Sequence, residues 1–341
     1  MTAESDYRAV LAAYPADCQA VRVEELGSAG GFSGARFWRV ASARGPLCLR
    51  RWPPEHPAVE RLRFIQAVLR HVREEGFELA PVPIETLGGA GFVRHAGHLW
   101  ELTPWMPGLA DYHARPSAPR LEAALAALAR FHVATQTFPP TDRDPAASPG
   151  IKERIERLRG LTAGGLIRLQ TAVRAREVSR PSPLDARAER LFELFPPLAD
   201  RVLENLTAAA LVNVPLAPVI RDIWHAHVLF EGERVTGLID FGGLRPDTVA
   251  TDIARLLGSL VGDDQEAWRA GLAAYGRVRA LSESESSLVP VFDQSTVLLS
   301  GFNWLTWIYL EGRQFEDIPA IVGRLDGTLA RLGHAVAKIA K

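Results

Sequence analysis

Lysine is almost missing from this chain of 341 residues. Only Lys152, Lys338 and Lys341 are lysine among 39 basic residues, leaving 36 arginines. Any cation that the N-terminal third supplies is therefore an arginine, planar, permanently charged and able to pair bidentately. Cysteine is nearly as scarce. Cys18 and Cys48 are too few for a disulfide framework and lack metal-site spacing, which points to a reducing cytoplasm. Charge of one sign is missing too: 39 basic against 40 acidic residues give a net charge of -1. Nothing in that balance favours DNA, RNA or an anionic membrane as the main partner. No run of about 18 apolar residues could span a bilayer, and no basic segment leads into an apolar leader. Residues 297–310 are apolar, but Asn303 among Ser and Thr suits a buried helix. No internal repeat or heptad array is visible, and residues 282–287 are the one serine-rich tract of low complexity.

What is present is a core-forming chain with 47% hydrophobic residues, enough for one large domain or two lobes. Residues 21–27, 35–43 and 46–52 read as strands, and a hairpin follows at 91–96 and 98–105. Between them, residues 58–75 carry the helical stripe Leu62, Ile65, Leu69 and Val72. Beyond Gly108 the texture turns helical, at 119–133, 151–161, 184–206, 248–261, 292–312 and 318–339, with an exposed loop at 138–150. The expected class is α+β, with a boundary between residues 1–108 and 109–341.

The chemistry gathers in residues 218–240. A β-like run delivers Arg221 and Asp222 into a polar loop, residues 228–230 leave it, and a turn at Glu231, Gly232 and Glu233 leads to residues 235–239. That last run ends on Asp240, Phe241 and Gly242. Short strands bracketed by carboxylates hold two negative charges at one sheet edge, which suits a divalent cation. Asp222, His227 five positions on, and Asp240 in an Asp-Phe-Gly triplet reproduce the order and separation of a kinase catalytic loop and metal-binding triplet. Upstream, residues 28–34 read Ser-Ala-Gly-Gly-Phe-Ser-Gly, either a plain hairpin turn or a loop whose N–H groups approach phosphate.

On these residues the chain resembles the aminoglycoside phosphotransferase and choline kinase family, over roughly residues 20 to 315. In that family the loop reads His-Gly-Asp, four residues, then Asn. Here Ile220 and Arg221 stand for His and Gly, and His227 for Asn. The resemblance implies a bilobal protein-kinase-like fold, with a small antiparallel β-sheet N-lobe that binds nucleotide and a mainly helical C-lobe. It implies ATP and Mg²⁺ (or Mn²⁺) as cofactors, and a small-molecule hydroxyl as acceptor. Aminoglycosides, choline or ethanolamine, homoserine and sugars are all family acceptors, and the sequence does not choose among them or set an oligomeric state.

Carried over residue by residue, Asp222 would take the hydroxyl proton, with Arg221 beside it pairing a loop or triplet carboxylate. Asp240 would bind metal, joined by His227 unless that imidazole only braces the loop. Gly31, Ser33 and Gly34 would cradle phosphate, and Arg50 would stand in the place of the usual phosphate-binding lysine. The Pro104 carbonyl and the Met106 N–H would read adenine. A helix glutamate should pair with that cation, and Glu60 and Gln66 compete for its place. Asp252 would brace the catalytic loop or simply start a helix. Trp304, Trp307, Tyr309 and Glu311 form either a cage for a cationic head group or a core helix face. Because Arg50, His227 and the missing His-Gly depart from the pattern, a pseudokinase that binds nucleotide or a protein partner is the alternative. A metal-dependent hydrolase built on His225, His227 and Asp240 is a third reading.

Overall fold

The computed structural model describes residues 3–28, 33–140, 144–179 and 181–339. Along the chain come α1 (Ala3–Leu11), β1 (Ala20–Gly27), β2 (Arg36–Ser42), β3 (Gly45–Arg51), α2 (Val59–Glu74), β4 (Val93–His95), β5 (His98–Pro104) and α3 (Ala118–Gln136). Next are β6 (Ala146–Ala147), α4 (Pro149–Gly160), α5 (Leu166–Ser179), α6 (Asp185–Leu194), α7 (Pro196–Ala209), β7 (Asn213–Val214) and β8 (Ala217–Val219). The chain continues with β9 (Val228–Glu231), β10 (Arg234–Leu238), β11 (Arg245–Asp247), α8 (Ala250–Val261), α9 (Gln265–Gly276), α10 (Glu283–Leu305) and α11 (Ile318–Ile339). Contacts gather these into two compact units. The first comprises Met1–Thr141, Asp222–Arg245 and Ala270–Arg279, and the second Asp142–Arg221, Pro246–Arg269 and Ala280–Lys341. The boundary expected after Gly108 falls inside the first unit, because α3 packs on α2 and on β10.

In the first unit the strands make one antiparallel sheet in the order β1-β2-β3-β5-β4. Strand alternation sends Trp38, Val40, Leu47, Leu49, Trp100 and Leu102 to one face, where Val10, Leu11 and Tyr14 cover them. The helix α1 that brings Val10 and Leu11 went unread in the sequence, although Tyr7, Val10 and Leu11 stand at helical spacing over its nine residues. Arg51 shares the parity of Leu47 and Leu49 and lies half-buried on their face, its guanidinium 5.7 Å from the Trp100 ring. The other face carries Arg50 on β3 directly opposite Glu101 on β5. Helix α2 forms on the expected stripe, burying Leu62, Ile65, Val68, Leu69 and Val72. Each such side chain contributes roughly 1.5–3 kcal/mol by leaving water. Gln66 is buried with them, whereas Glu60 is exposed in the first turn.

In the second unit α10 packs against α4, α7, α8 and α11. Three sequence readings change here. The helix expected over 184–206 is two helices, because Pro196 cannot continue α6 and instead opens α7. Residues 161–165 carry α4 on toward α5 through Gly164, whose φ of 115° only glycine adopts freely. The serine-rich tract is a helix start: Ser282 and Glu285 form a capping box that opens α10, ahead of the expected start at 292. Among the described residues no helix is long and apolar enough to cross a membrane.

Candidate active site

The loop that carries Asp222 begins at a backbone clamp in the second unit. Asp252, fully buried in the first turn of α8, accepts from the Ile220 N–H through Oδ2 at 2.7 Å and from the Arg221 N–H through Oδ1 at 2.6 Å. Arg221 has a φ of 65°, a left-handed conformation that costs a long side chain roughly 1–3 kcal/mol. Charge-assisted bonds to two adjacent amides, each worth about 1.5–3 kcal/mol, offset it. Asp252 is thus a loop brace as well as a helix acid.

The Arg221 side chain pairs with Glu153 at 2.6 and 3.2 Å and lies 3.5 Å from the buried Asp247. Its partners are therefore Glu153 on α4 and Asp247 on β11. Asp247 also accepts from the Ser148 hydroxyl at 2.5 Å and the Gly150 N–H at 3.0 Å. Burial pushes the Asp247 carboxyl up, with Ser148 and Arg221 opposing. Gly150 cannot carry a side chain here, since a Cβ would sit 2.4 Å from Asp247 Oδ2.

Asp222 itself is exposed and belongs to the first unit, as do His227 and Asp240. The hairpin β9–β10 connects them, and the Ile239 N–H donates to the His227 carbonyl at 3.0 Å. The His227 ring is oriented by two partners. The Trp224 indole N–H donates to Nε2 at 2.8 Å, and Nδ1 lies 3.0 Å from the Asp222 carbonyl. An indole can only donate, so Nε2 is the acceptor and Nδ1 carries the proton. This imidazole is neutral, ties the Asp222 backbone, and has its Nε2 lone pair engaged by Trp224.

Asp240 sits at the end of β10 with a φ of 60°, which a short carboxylate tolerates. Its side chain is 40% exposed, with Arg50 Nη1 at 3.2 Å from Oδ1 and His227 Nε2 at 3.7 Å from Oδ2. Burial raises the carboxyl, but the Arg50 charge and hydrogen bond, with the Gly242 N–H, hold it below the ordinary aspartate value. A carboxylate kept ionised and already attracting positive charge fits a hard divalent cation, which takes one or two protein carboxylates and fills its shell with phosphate and water. Among the described residues no group of three or more His, Cys, Asp or Glu side chains could hold a metal ion, so the hydrolase reading gains no support.

Arg50 lies only 11% exposed, its guanidinium 3.3 Å from the Trp52 ring centroid. Trp52 and Glu101 are neighbours of Arg50 that the sequence reading missed. The available signal was Glu101 itself, one acid in an apolar strand at a position that alternation places beside Arg50.

The expected adenine segment is stitched to the hairpin. The Thr236 hydroxyl donates to the Pro107 carbonyl at 2.6 Å, and Leu109 and Phe230 exchange bonds at 3.0 and 2.9 Å. Two glycines make room. At Gly108, with φ 97°, a Cβ would lie 2.3 Å from Thr236 Oγ1, and at Gly237 a Cβ would meet Met106 Cβ at 3.0 Å. Pro104 ends β5, and the Trp105 N–H donates to the Pro46 carbonyl at 3.0 Å. In the glycine-rich loop Gly31 lies outside the described residues; Ser33 Oγ lies 3.4 Å from the Ala35 N, and Gly34 turns with φ 79° beside Pro53.

The aromatic cluster of the second unit is filled by the chain's own cations. Arg324 lies 5.6 Å from the Trp304 ring, Arg313 5.2 Å from Trp307 and Arg176 5.3 Å from Tyr309. Trp304 is 8% exposed and packs edge-on against Trp307 and Phe315. The core-face reading accounts for these contacts without a bound head group.

Comparison with known proteins agrees with this layout. A sequence model described as "Phosphotransferase enzyme family" matches residues 27–286. A homoserine kinase of Bradyrhizobium diazoefficiens is 26% identical over 246 residues, covering 70% of this chain and 65% of that protein. The chain thus matches just under two thirds of that relative's length. Among solved structures, a microcompartment-associated aminopropanol kinase superposes with a TM-score of 0.61 at 15% identity, covering 97% of both chains. An amicoumacin kinase in complex with AMP-PNP, Ca²⁺ and Ami has a TM-score of 0.61 at 14% identity, covering 91% of this chain and 88% of its own. These likenesses show the fold, an α+β protein-kinase-like one with a five-stranded antiparallel sheet and a mostly helical remainder.

Proposed function

Because the chain belongs to the phosphotransferase enzyme family, we propose that it is a kinase that moves a phosphoryl group from ATP to a hydroxyl of a small molecule. The observation that carries the reading is Asp240, an ionised carboxylate flanked by the Arg50 cation and by the imidazole that holds the Asp222 backbone. Asp222 orients the acceptor hydroxyl and takes its proton. Asp240 would hold Mg²⁺, with His227 Nε2 as a second ligand, and that nitrogen would make Mn²⁺ an acceptable substitute. The metal supplies neutralisation of charge on the phosphate oxygens. Arg50 adds a permanent positive charge for those oxygens, and the loop with Gly31, Ser33 and Gly34 adds backbone N–H groups. The Pro104 carbonyl and Met106 N–H read the adenine edge. Arg221 acts at one remove, keeping the turn before Asp222 in place through Glu153 and Asp247. Homoserine and related amino alcohols are the first acceptors to try, since the relative from Bradyrhizobium diazoefficiens is named a homoserine kinase.

The experiment is a melting curve with ATP plus Mg²⁺ or Mn²⁺, against ATP alone, for wild type and Asp240→Ala. Ligand at 100 times its dissociation constant should add about 2.7 kcal/mol of stability. A metal-dependent shift that disappears in Asp240→Ala, followed by turnover with an amino alcohol, is the expected result. No shift with either ion would sink the kinase reading. Nucleotide binding with no transfer to any acceptor would favour the pseudokinase alternative, for which the His227 ring, held by Trp224 and the Asp222 carbonyl, is the supporting observation.

A further inference from the structure

Five side chains of the first unit form one line from α2 to the Asp-Phe-Gly triplet. Gln66 Nε2 donates to the Gly91 carbonyl at 3.0 Å and to Glu101 Oε2 at 3.1 Å. The Trp52 indole N–H donates to Glu101 Oε1 at 3.0 Å. Trp52 in turn supports the Arg50 guanidinium on its ring face at 3.3 Å, and Arg50 reaches Asp240 at 3.2 Å. Both ends of the line are shaped for it. A Cβ on Gly91 would fall 2.2 Å from Gln66 Oε1, and one on Gly242 would fall 3.3 Å from Trp52 Cη2.

We infer that Glu101 is a positioning residue for Arg50, acting through Trp52: it pins the indole N–H, and the pinned ring fixes where the guanidinium lies. The inference rests on the proposed nucleotide site. Three observations support it. Arg50 Nε is buried without a hydrogen-bond partner, so the guanidinium is not fixed by a full fork of bonds and its direction depends on the ring beneath it. Glu101 is opposite Arg50 in the sheet register, buried, and has each carboxylate oxygen accepting one N–H. Helix α2 presents only the uncharged Gln66 to this place, and Gln66 spends its amide on Glu101. Glu101 on β5 thus stands across the sheet from Arg50, while Asp240 pairs with Arg50 directly; burial pushes the Glu101 carboxyl up, opposed first of all by the Arg50 charge.

The test is direct titration with ATP and Mg²⁺ of wild type, Glu101→Gln, Trp52→Phe and the double variant, with melting temperatures taken without nucleotide. Trp52→Phe keeps an aromatic face and removes the N–H. Each single variant should weaken ATP binding about tenfold, the scale of a lost hydrogen bond to a charged group. The double variant should be no weaker than either single one, because both remove the same link. A general loss of structure would lower the melting temperature without this shared loss of affinity. Unchanged ATP affinity in either single variant, or losses that multiply in the double, would overturn the inference while leaving the kinase reading standing. If Glu101→Gln does not fold, Trp52→Phe alone decides it by the same criterion. Failure of wild type itself to bind ATP refutes the kinase reading, and this inference with it.

Discussion

Asp252 and Asp240 both stand beside backbone in a left-handed turn, and their surroundings are opposite. Asp252 is fully buried and spends its two oxygens on the adjacent amides of Ile220 and Arg221. Asp240 is 40% exposed and faces two side chains that carry or can carry positive charge. The first arrangement satisfies the carboxylate with fixed donors, so its worth lies in folding. The second leaves room for a ligand and sets the charge that a cation or a phosphate meets. Residue type alone does not separate a brace from a site, but the kind of donor does.

The largest expected effect is on turnover. Asp240→Ala should lower kcat/KM by about a hundredfold or more while the melting temperature without nucleotide stays close to wild type. A fully active Asp240→Ala enzyme would erase the distinction. Next comes stability. Asp252→Ala strands two amide donors, buried and half-buried, and should cost about 2–5 kcal/mol in denaturant unfolding. A wild-type midpoint would show that water or another group satisfies them.

A smaller effect is expected at His227. His227→Asn offers oxygen in place of nitrogen and frees the Trp224 N–H, so activity should shift by roughly severalfold from Mn²⁺ toward Mg²⁺. An unchanged ion preference would assign His227 to holding the loop alone. The smallest effect is at acid pH. The folded-state pKa of Asp240 lies below the unfolded value of about 3.9, so its contribution to stability is present above that value and is lost as pH falls through the folded pKa. Melting temperature followed from about pH 5 to about pH 2 should therefore fall less steeply in Asp240→Asn. Identical slopes would mean that Arg50 does not hold the carboxyl low.

Much of the fold was legible because it rests on local periodicity. The α2 stripe, the antiparallel strands of the sheet and the β9–β10 hairpin could all be read from spacing. What escaped was short or capped. Helix α1 spans only nine residues, and the serine run before α10 looks like a loop until Ser282 and Glu285 are seen to bond each other. In the site, the Asp222, His227 and Asp240 spacing led to residues that do share one unit. Arg221 was read as a partner of a loop or triplet acid and instead pairs with Glu153 and Asp247.

By itself the sequence determined that a cation in the first 150 residues must be arginine, and that two carboxylates bracket a hairpin at kinase-like separation. Both are properties of composition and of neighbours along the chain. Only the tertiary structure decided which acids stand near that arginine. Glu60 is exposed and Gln66 carries no charge; Asp240 pairs with Arg50 directly, and Glu101 stands opposite it by strand register with Trp52 between them. It likewise decided that His227 is neutral with its proton on Nδ1, and that Asp252 clamps the loop. Partner choice of this kind depends on pairings between segments far apart in sequence, set by which face each strand buries, and no local spacing encodes it.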